Sequence, residues 1–498
     1  MGGEATRGGG AVGPVAAPPD APRMSGLAEQ AFDRTAGAPL VSGNAVRVLF
    51  DAAGNFPVWL DAIRSAQRSV LLENYIIEED EVGTAFADAL AERARAGVSV
   101  RVIRDWMGSH RTASRGYWRR LEEAGVETRV FNRPTPVRPL RWVSRDHRKS
   151  ICVDGRVGYV AGLCVSAQWL GDPARGVAPW RDTGVEIRGP AVAWVEKAFQ
   201  AVWDVTGPPL PPGALTSPGS MAPAGEVSVR VVADAPASAG MFRLDQLIAA
   251  AARQTLWLTD AYFVGFVPYV QALRMAALDG VDVRLLVPST TDIPLVSGLS
   301  RSGYRPLLEA GVRIFEWNGS MIHAKTAVAD GCWARVGSSN LNLASFLGNY
   351  ELDVAIENVA IARTLEEAFL RDLENSTEIV LRGRRLVRPI RPKGMVPRGS
   401  QRPPLGAIRF AHAVGAAAAP GTRWLGAVES GIGLVLAGVL LVLAVVGTLW
   451  PAALAYPASL IALWLAVVLL LRARRGWRRA RAEDASARAD SAKAGTET

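Results

Sequence analysis

One unusual spacing occurs twice in this 498-residue chain. Residues 147–155 read HRKSICVDG and residues 323–331 read HAKTAVADG, so His147, Lys149, Asp154 and Gly155 recur as His323, Lys325, Asp330 and Gly331. Two of the four histidines of the chain fall in this pattern. In an extended chain alternate side chains share a face, so the histidine and lysine of each copy project side by side. An apolar run follows (SICV or TAVA), and Asp-Gly then marks a turn. The repeat extends outward: ARAGVSVRVIRD (94–105) matches ALDGVDVRLLVP (277–288), and LEEAGVETRVFN (121–132) matches LLEAGVRIFEWN (307–318). LLENYII against LTDAYFV sets Tyr75 opposite Tyr262, and RDTGVEIRGPAV against YELDVAIENVAI sets Asp182 opposite Glu351. Each copy reads strand, helix, strand, helix, strand, then the His-Lys strand, which predicts an α/β sheet with helices on its faces. Two such copies on one chain predict a pseudo-two-fold arrangement with the motifs facing each other.

The doubled H-x-K-x-x-x-x-D motif resembles the mark of the phospholipase D superfamily. Stretches such as DEVGTAFADALAERARAGV and LLEAGVRIFEWNGSMIHAKTAVADG are similar to its bacterial cardiolipin synthase branch, over roughly residues 45 to 380. The chemistry that suits these residues is displacement at a phosphodiester. A neutral imidazole attacks phosphorus to give a phosphohistidine, and a second, protonated imidazole delivers a proton to the departing alkoxide. Lysines beside them offset the charge of the phosphoryl oxygens. The resemblance implies one histidine from each half, no metal and no cofactor, and it gives His147, Lys149, Asp154, His323, Lys325 and Asp330 as the catalytic set. Asp154 and Asp330 are expected mainly to brace the site. Residue pattern alone does not distinguish the two histidines as nucleophile; family analogy points to His147. Asp182 and Glu351 are the candidates to hold the other ring nitrogen of a histidine.

The halves differ. VGSSNLN after the second motif resembles a Gly-Ser-x-Asn phosphate-binding turn through Gly337, Ser338 and Asn340. The first half has VAGLCVS, with Gly162 taken as retained, Cys164 where the resemblance calls for Asn, and Ser166 as a candidate substitute.

Lys and Arg number 56 against 47 Asp and Glu, a net charge of +9, and arginines crowd residues 111–148 ahead of the first motif. Such a stretch suits an anionic surface or is a solvated loop. Cys152, Cys164 and Cys332 are odd in number and sit in apolar contexts, which predicts reduced thiols. Residues 1–40, rich in Gly, Ala and Pro, read as disordered, without an apolar run suited to a signal peptide. A Pro-rich linker (207–226) separates a first half (41–206) from a second (227–380). After a basic linker (381–423), residues 424–472 read as two transmembrane helices reversing near Pro451 and Pro457, with a re-entrant hairpin as the alternative. Basic flanks on both sides, including the 473–498 tail before it turns disordered, keep both ends and the catalytic part cytoplasmic, at the bacterial inner membrane.

The expectation is thus a duplicated phospholipase D-like α/β fold plus a C-terminal hairpin. Its expected activity is phosphatidyl transfer to phosphatidylglycerol at an anionic membrane. Hydrolysis to phosphatidic acid, a nuclease and a non-catalytic scaffold are the alternatives; a lipid anchor argues against nucleic acid. Oligomeric state and acceptor alcohol are not readable from the chain.

Overall fold

A computed structural model describes residues 26–135, 143–382 and 385–387, with isolated positions from 441 to 464. The expected hairpin at 424–472 and the basic tail therefore lie almost wholly outside the described residues. Among the described residues no helix is long and apolar enough to cross a membrane.

The described strands form one mixed sheet of sixteen. Its centre is an antiparallel pair, Leu40–Phe50 against Val227–Asp234, in the register Leu40↔Arg230 and Val41↔Val229. Outward on the first side come Thr183–Arg188, Val157–Ala161, Lys149–Val153, Ser69–Asn74, Ser99–Asp105 and Glu127–Phe131. Outward on the second come Glu351–Glu357, Trp333–Gly337, Thr326–Ala329, Thr255–Thr259, Asp282–Pro288 and Arg313–Trp317. The order is the same on both sides. The three outer strands of each run are parallel, joined by helices, and the inner ones are antiparallel. Two further strands, Ser376–Arg382 and Arg385–Val387, extend the second edge.

Local chemistry explains the elements that place the motifs. In helix Glu81–Arg95 the Asp80 carboxylate caps by accepting from the Gly83 amide at 2.8 Å, and Gly97 at φ +87° follows its end. The helix buries Val82, Phe86 and Leu90 on one face; each large apolar side chain so removed from water contributes about 1.5–3 kcal/mol. The long helices Val192–Thr206 and Val359–Glu374 pack into one shared core through Val195, Phe199, Trp203, Leu365 and Phe369. The opposite face is covered by separate helices in each half, with Trp59 and Phe86 in one cluster and Leu244 and Leu273 in another.

The reading of residues 1–40 as disordered is corrected for its last third. Helix Gly26–Ala36 is formed, Phe32 and Ala36 are buried, and Asp33 pairs with the buried Arg230. The segment gains its order by packing on helix Gly240–Ala251 and by the ion pair of Asp33 with Arg230 of the central strand, tertiary contacts its own composition does not advertise. Residues 207–226 contain no helix or strand, yet they are docked: the Glu196 carboxylate accepts from the Thr216 amide at 2.7 Å.

Candidate active site

Each motif begins in extended chain just before its strand and ends in a tight hairpin. Asp154 (φ 55°) with Gly155 (φ 64°), and Asp330 (φ 50°) with Gly331 (φ 62°), are the paired left-handed residues of a tight turn, within three-residue connections that join Val153 to its partner Val157 and Ala329 to its partner Trp333. Asp-Gly suits that turn because both positions need positive φ. The aspartate side chains also reach neighbouring backbone. Asp154 accepts from the amides of Gln67, Arg68 and Ser69 at 2.7–2.9 Å, and Asp330 from those of Arg253, Gln254 and Thr255 at 2.8–2.9 Å. Those bonds hold Asp154 below the usual carboxylate range against the opposing effect of burial. Both acids stand a whole strand away from the histidines, so their place is at the braces and not among the reacting groups.

The histidines converge. His147 and His323 line one cavity of about 150 Å³, together with Tyr75, Trp169, Tyr262 and Asn340. Two short parallel bridges, Asp146↔Tyr350 and Arg181↔Ile322, cross between the halves immediately beside the motifs. The His147 amide donates to the Tyr350 carbonyl at 2.9 Å, and the His323 amide to the Arg181 carbonyl at 2.7 Å. As a result the carboxylates are exchanged. His147 Nδ1 lies 2.9 Å from Oε2 of Glu351 in the second half, and His323 Nδ1 lies 2.8 Å from Oδ2 of Asp182 in the first. With Nδ1–H donating to a carboxylate, Nε2 is left as the nitrogen that meets a ligand.

The two carboxylates are held differently. Ser338 donates its hydroxyl to Glu351 Oε2 at 2.6 Å, and the Asn349 amide donates to Oε1 at 3.2 Å. Asp182 instead accepts from the Trp169 indole N–H at 2.8 Å and from the Thr183 amide at 2.8 Å. Gly162 shows why. Its amide donates to the Thr183 carbonyl as that of Ser338 does to Leu352, so Gly162 is the counterpart of Ser338 and not of Gly337. A Cβ on Gly162 would fall 2.2 Å from Asp182 Oδ1; a serine there is sterically excluded, and the tryptophan supplies the missing donor. The expectation for Ser166 is likewise corrected. Its hydroxyl is engaged with Glu78 at 2.6 Å and with the Gln168 amide at 3.1 Å, outside the cavity lining. Cys164 and Asn340 both line the cavity, and Cys164 brings no amide donor to it.

Both lysines are buried and donate to the carbonyl of their own motif histidine. Neither lines the cavity; Lys325 Nζ lies 3.0 Å from both ring nitrogens of His323. The charge of Lys325 therefore sits against the His323 ring, and that of Lys149 lies 5.2 Å from the centre of the Tyr75 ring, next to His147. Burial, reinforced by Lys149 and Lys325, drives His147 well below the usual imidazole range. Burial and Lys325 bring His323 down to about 4, partly offset by Asp182. Burial lowers Lys325 to about 8. Burial raises the Glu351 carboxyl, whereas at Asp182 the attraction of His323 and Lys325 outweighs burial and lowers it.

Several supports carry no motif in the sequence. Arg148, between His147 and Lys149, donates to the carbonyls of Glu351, Ala198 and Asp234 at 3.0, 2.6 and 2.8 Å, tying the halves together from inside the sheet. Arg335 pairs with Asp245 and Asp353 and donates to the Ser339 carbonyl, fixing the 337–340 turn. Trp169 meets the His323 ring edge-on at 5.2 Å, and Trp180 lies at 5.7 Å. Among the described residues no group of three or more His, Cys, Asp or Glu is placed to hold a metal.

Such a sheet, repeated about its centre and closing paired His-Lys motifs over one cavity, defines the phospholipase D-like class. A solved structure entitled phosphatidylserine synthase from Haemophilus influenzae Rd KW20 shares the fold, with a TM-score of 0.57 at 14% identity over 70% of this chain and 91% of that one. Within the class, the chain belongs to the family described as cardiolipin synthase, PLD-like domain, whose profile matches residues 59–203 and 244–373. It is 35% identical over 371 residues to Cardiolipin synthase A of Pseudomonas aeruginosa, covering 74% of each chain. It is 33% identical over 355 residues to Cardiolipin synthase of Halalkalibacterium halodurans, covering 70% of this chain and 69% of that one.

Proposed function

We propose that the protein is a phosphatidyltransferase that makes cardiolipin from two molecules of phosphatidylglycerol. The observation that carries the reading is the pair of imidazoles on one cavity, each held through Nδ1 by a carboxylate of the opposite half. In the first step His147 Nε2 attacks phosphorus, the bond from phosphorus to the glycerol oxygen breaks, and His323 gives its proton to that oxygen. In the second, a hydroxyl of another phosphatidylglycerol attacks phosphorus, its proton passes to His323, and the phosphorus–nitrogen bond breaks. One phosphodiester is exchanged for another, so no nucleotide is consumed.

The assignment of roles rests on the asymmetry of the partners. His147, kept neutral by burial and two nearby lysines, suits the nucleophile. His323 faces Asp182, which is held as an anion and is the better counter-ion for an imidazolium. Burial and Lys325 bring His323 down to about 4, so its proton comes with the substrate: an anionic phosphodiester beside the ring, together with Asp182, favours the charged form. Lys149 and Lys325 act as positive charge behind the phosphoryl group, and the side-chain N–H of Asn340 completes its surroundings, leaving Oδ1 of Asn340 to other donors. Retention at an anionic bilayer, through the apolar stretches of 424–472 and their arginine flanks, would bring lipid to the cavity from the cytoplasmic side.

Incubation of the purified full chain with phosphatidylglycerol micelles, resolved by thin-layer chromatography, tests this. Cardiolipin and free glycerol are expected. Phosphatidic acid as the main product would replace transfer with hydrolysis, and no lipid product would overturn both.

A further inference from the structure

The wall of the cavity on the second-half side carries a group that the phosphoryl chemistry leaves unused. Asp292, just beyond strand Asp282–Pro288, is the one carboxylate among the described residues that line the cavity. Its Oδ1 accepts from the Tyr262 hydroxyl at 2.7 Å and from the Thr291 hydroxyl at 3.1 Å. Tyr262 is itself fixed: its carbonyl accepts from the Asn342 side-chain amide at 2.9 Å, and its ring stands 5.8 Å from that of His323. Asn340, only 4% exposed, lines the same cavity and has an Oδ1 without a hydrogen-bond partner among the described residues. Apart from His147, Cys164 and Gln168, the first-half lining is aromatic, aliphatic or cationic, with Tyr75, Trp169, Trp180 and Arg145 its largest members.

A carboxylate in the wall repels a second phosphate, and an unpartnered amide oxygen in a buried place favours a ligand that donates hydrogen bonds. Both features ask for hydroxyls. In-line displacement puts the departing or attacking alcohol opposite the nucleophile. With His147 as nucleophile, that alcohol lies toward His323, on the side of Tyr262, Asp292 and Asn340. We propose that these three residues form a polyol subsite. It binds the free hydroxyls of a glycerol headgroup, and so selects a polyol over simple alcohols and water as acceptor. This rests on the transferase reading above and adds to it the choice of acceptor.

The test is a competition for one intermediate. The full chain in phosphatidylglycerol micelles is given 1,2-propanediol and 1-propanol at equal concentration, and the two phosphatidyl products are quantified by mass spectrometry. Both arise from the same phosphohistidine, so donor binding and the folded fraction cancel from their ratio. Wild type should favour the diol. Asp292→Asn and Tyr262→Phe should each cut the diol-to-propanol ratio roughly tenfold, in keeping with loss of a hydrogen bond to a charged group, and Asp292→Glu should recover part of it. A ratio unchanged in Asp292→Asn or, should that variant not fold, in Tyr262→Phe overturns the subsite alone. Absence of any phosphatidyl product from wild type overturns the transferase reading and the subsite with it.

Discussion

Replacing Glu351 by Gln changes one charge and almost no volume, and its effect follows from three donors. His147 Nδ1–H, the Ser338 hydroxyl and the Asn349 amide converge on the two carboxylate oxygens at 2.9, 2.6 and 3.2 Å. A glutamine offers one acceptor oxygen and turns an NH₂ toward the remaining donors. His147 and Ser338 share Oε2: a glutamine that keeps its oxygen there makes both bonds neutral and turns its NH₂ on the Asn349 amide, and one that is flipped takes from His147 the acceptor that fixes its tautomer. Loss or weakening of a charge-assisted hydrogen bond amounts to about 1.5–3 kcal/mol. At about 1.4 kcal/mol per tenfold, turnover should fall roughly 10- to 150-fold. Stability should move little or rise, because burial already disfavours the Glu351 anion and the replacement removes it. Rapid-quench single turnover with headgroup-labelled phosphatidylglycerol, alongside thermal unfolding, reads both quantities. Turnover within threefold of wild type, at an unchanged unfolding midpoint, would refute the role given to the exchanged carboxylates.

Three further outcomes are expected. Since Lys325 is brought down to about 8, activity that depends on its charge should decline as pH rises through that value. Lys325→Arg should move this alkaline limb upward, and a limb that stays in place would exclude Lys325 as its source. Asp154→Ala removes an acceptor for three backbone amides and puts alanine at φ 55°. It should cost about 2–4 kcal/mol in urea unfolding while turnover per folded molecule changes less than tenfold; a large loss of turnover without a stability loss would make Asp154 a reacting group after all. A chain truncated after residue 382 should remain soluble and act poorly on phosphatidylglycerol vesicles in a flotation assay, and full retention at the vesicles would remove the apolar C-terminal stretches from membrane binding.

The doubled motif and its flanking matches disclosed the repeat because α/β crossovers leave a local trace: a helix end, a glycine and a buried strand. The triplet spacing was legible for the same reason, since the Asp-Gly turn and the side-by-side His and Lys are properties of one short segment. What the sequence did not disclose is long-range. Whether Glu351 serves His147 or His323 depends on the bridges at Tyr350 and Arg181 crossing the halves. The assignment of Gly162 to the wrong member of the turn came from aligning letters, whereas the amide bonds to Thr183 and Leu352 fix the register one residue away. Trp169 was invisible as a site residue because nothing in AQWLG signals that an indole N–H replaces a serine hydroxyl. Arg148, read as part of a basic run, is 1% exposed, and its value lies in three carbonyl acceptors that only the folded chain brings together.

The central claim is that one phosphorus is held between two imidazoles, with His147 forming the covalent bond. Acid-free quenching during turnover of phosphatidylglycerol, followed by peptide mass spectrometry, locates the adduct. The prediction is a phosphatidyl group on His147, absent in His147→Ala and formed more slowly in His323→Ala, which lacks the proton donor for the departing glycerol. An adduct on His323, or full-rate cardiolipin formation by His147→Ala, would contradict the account.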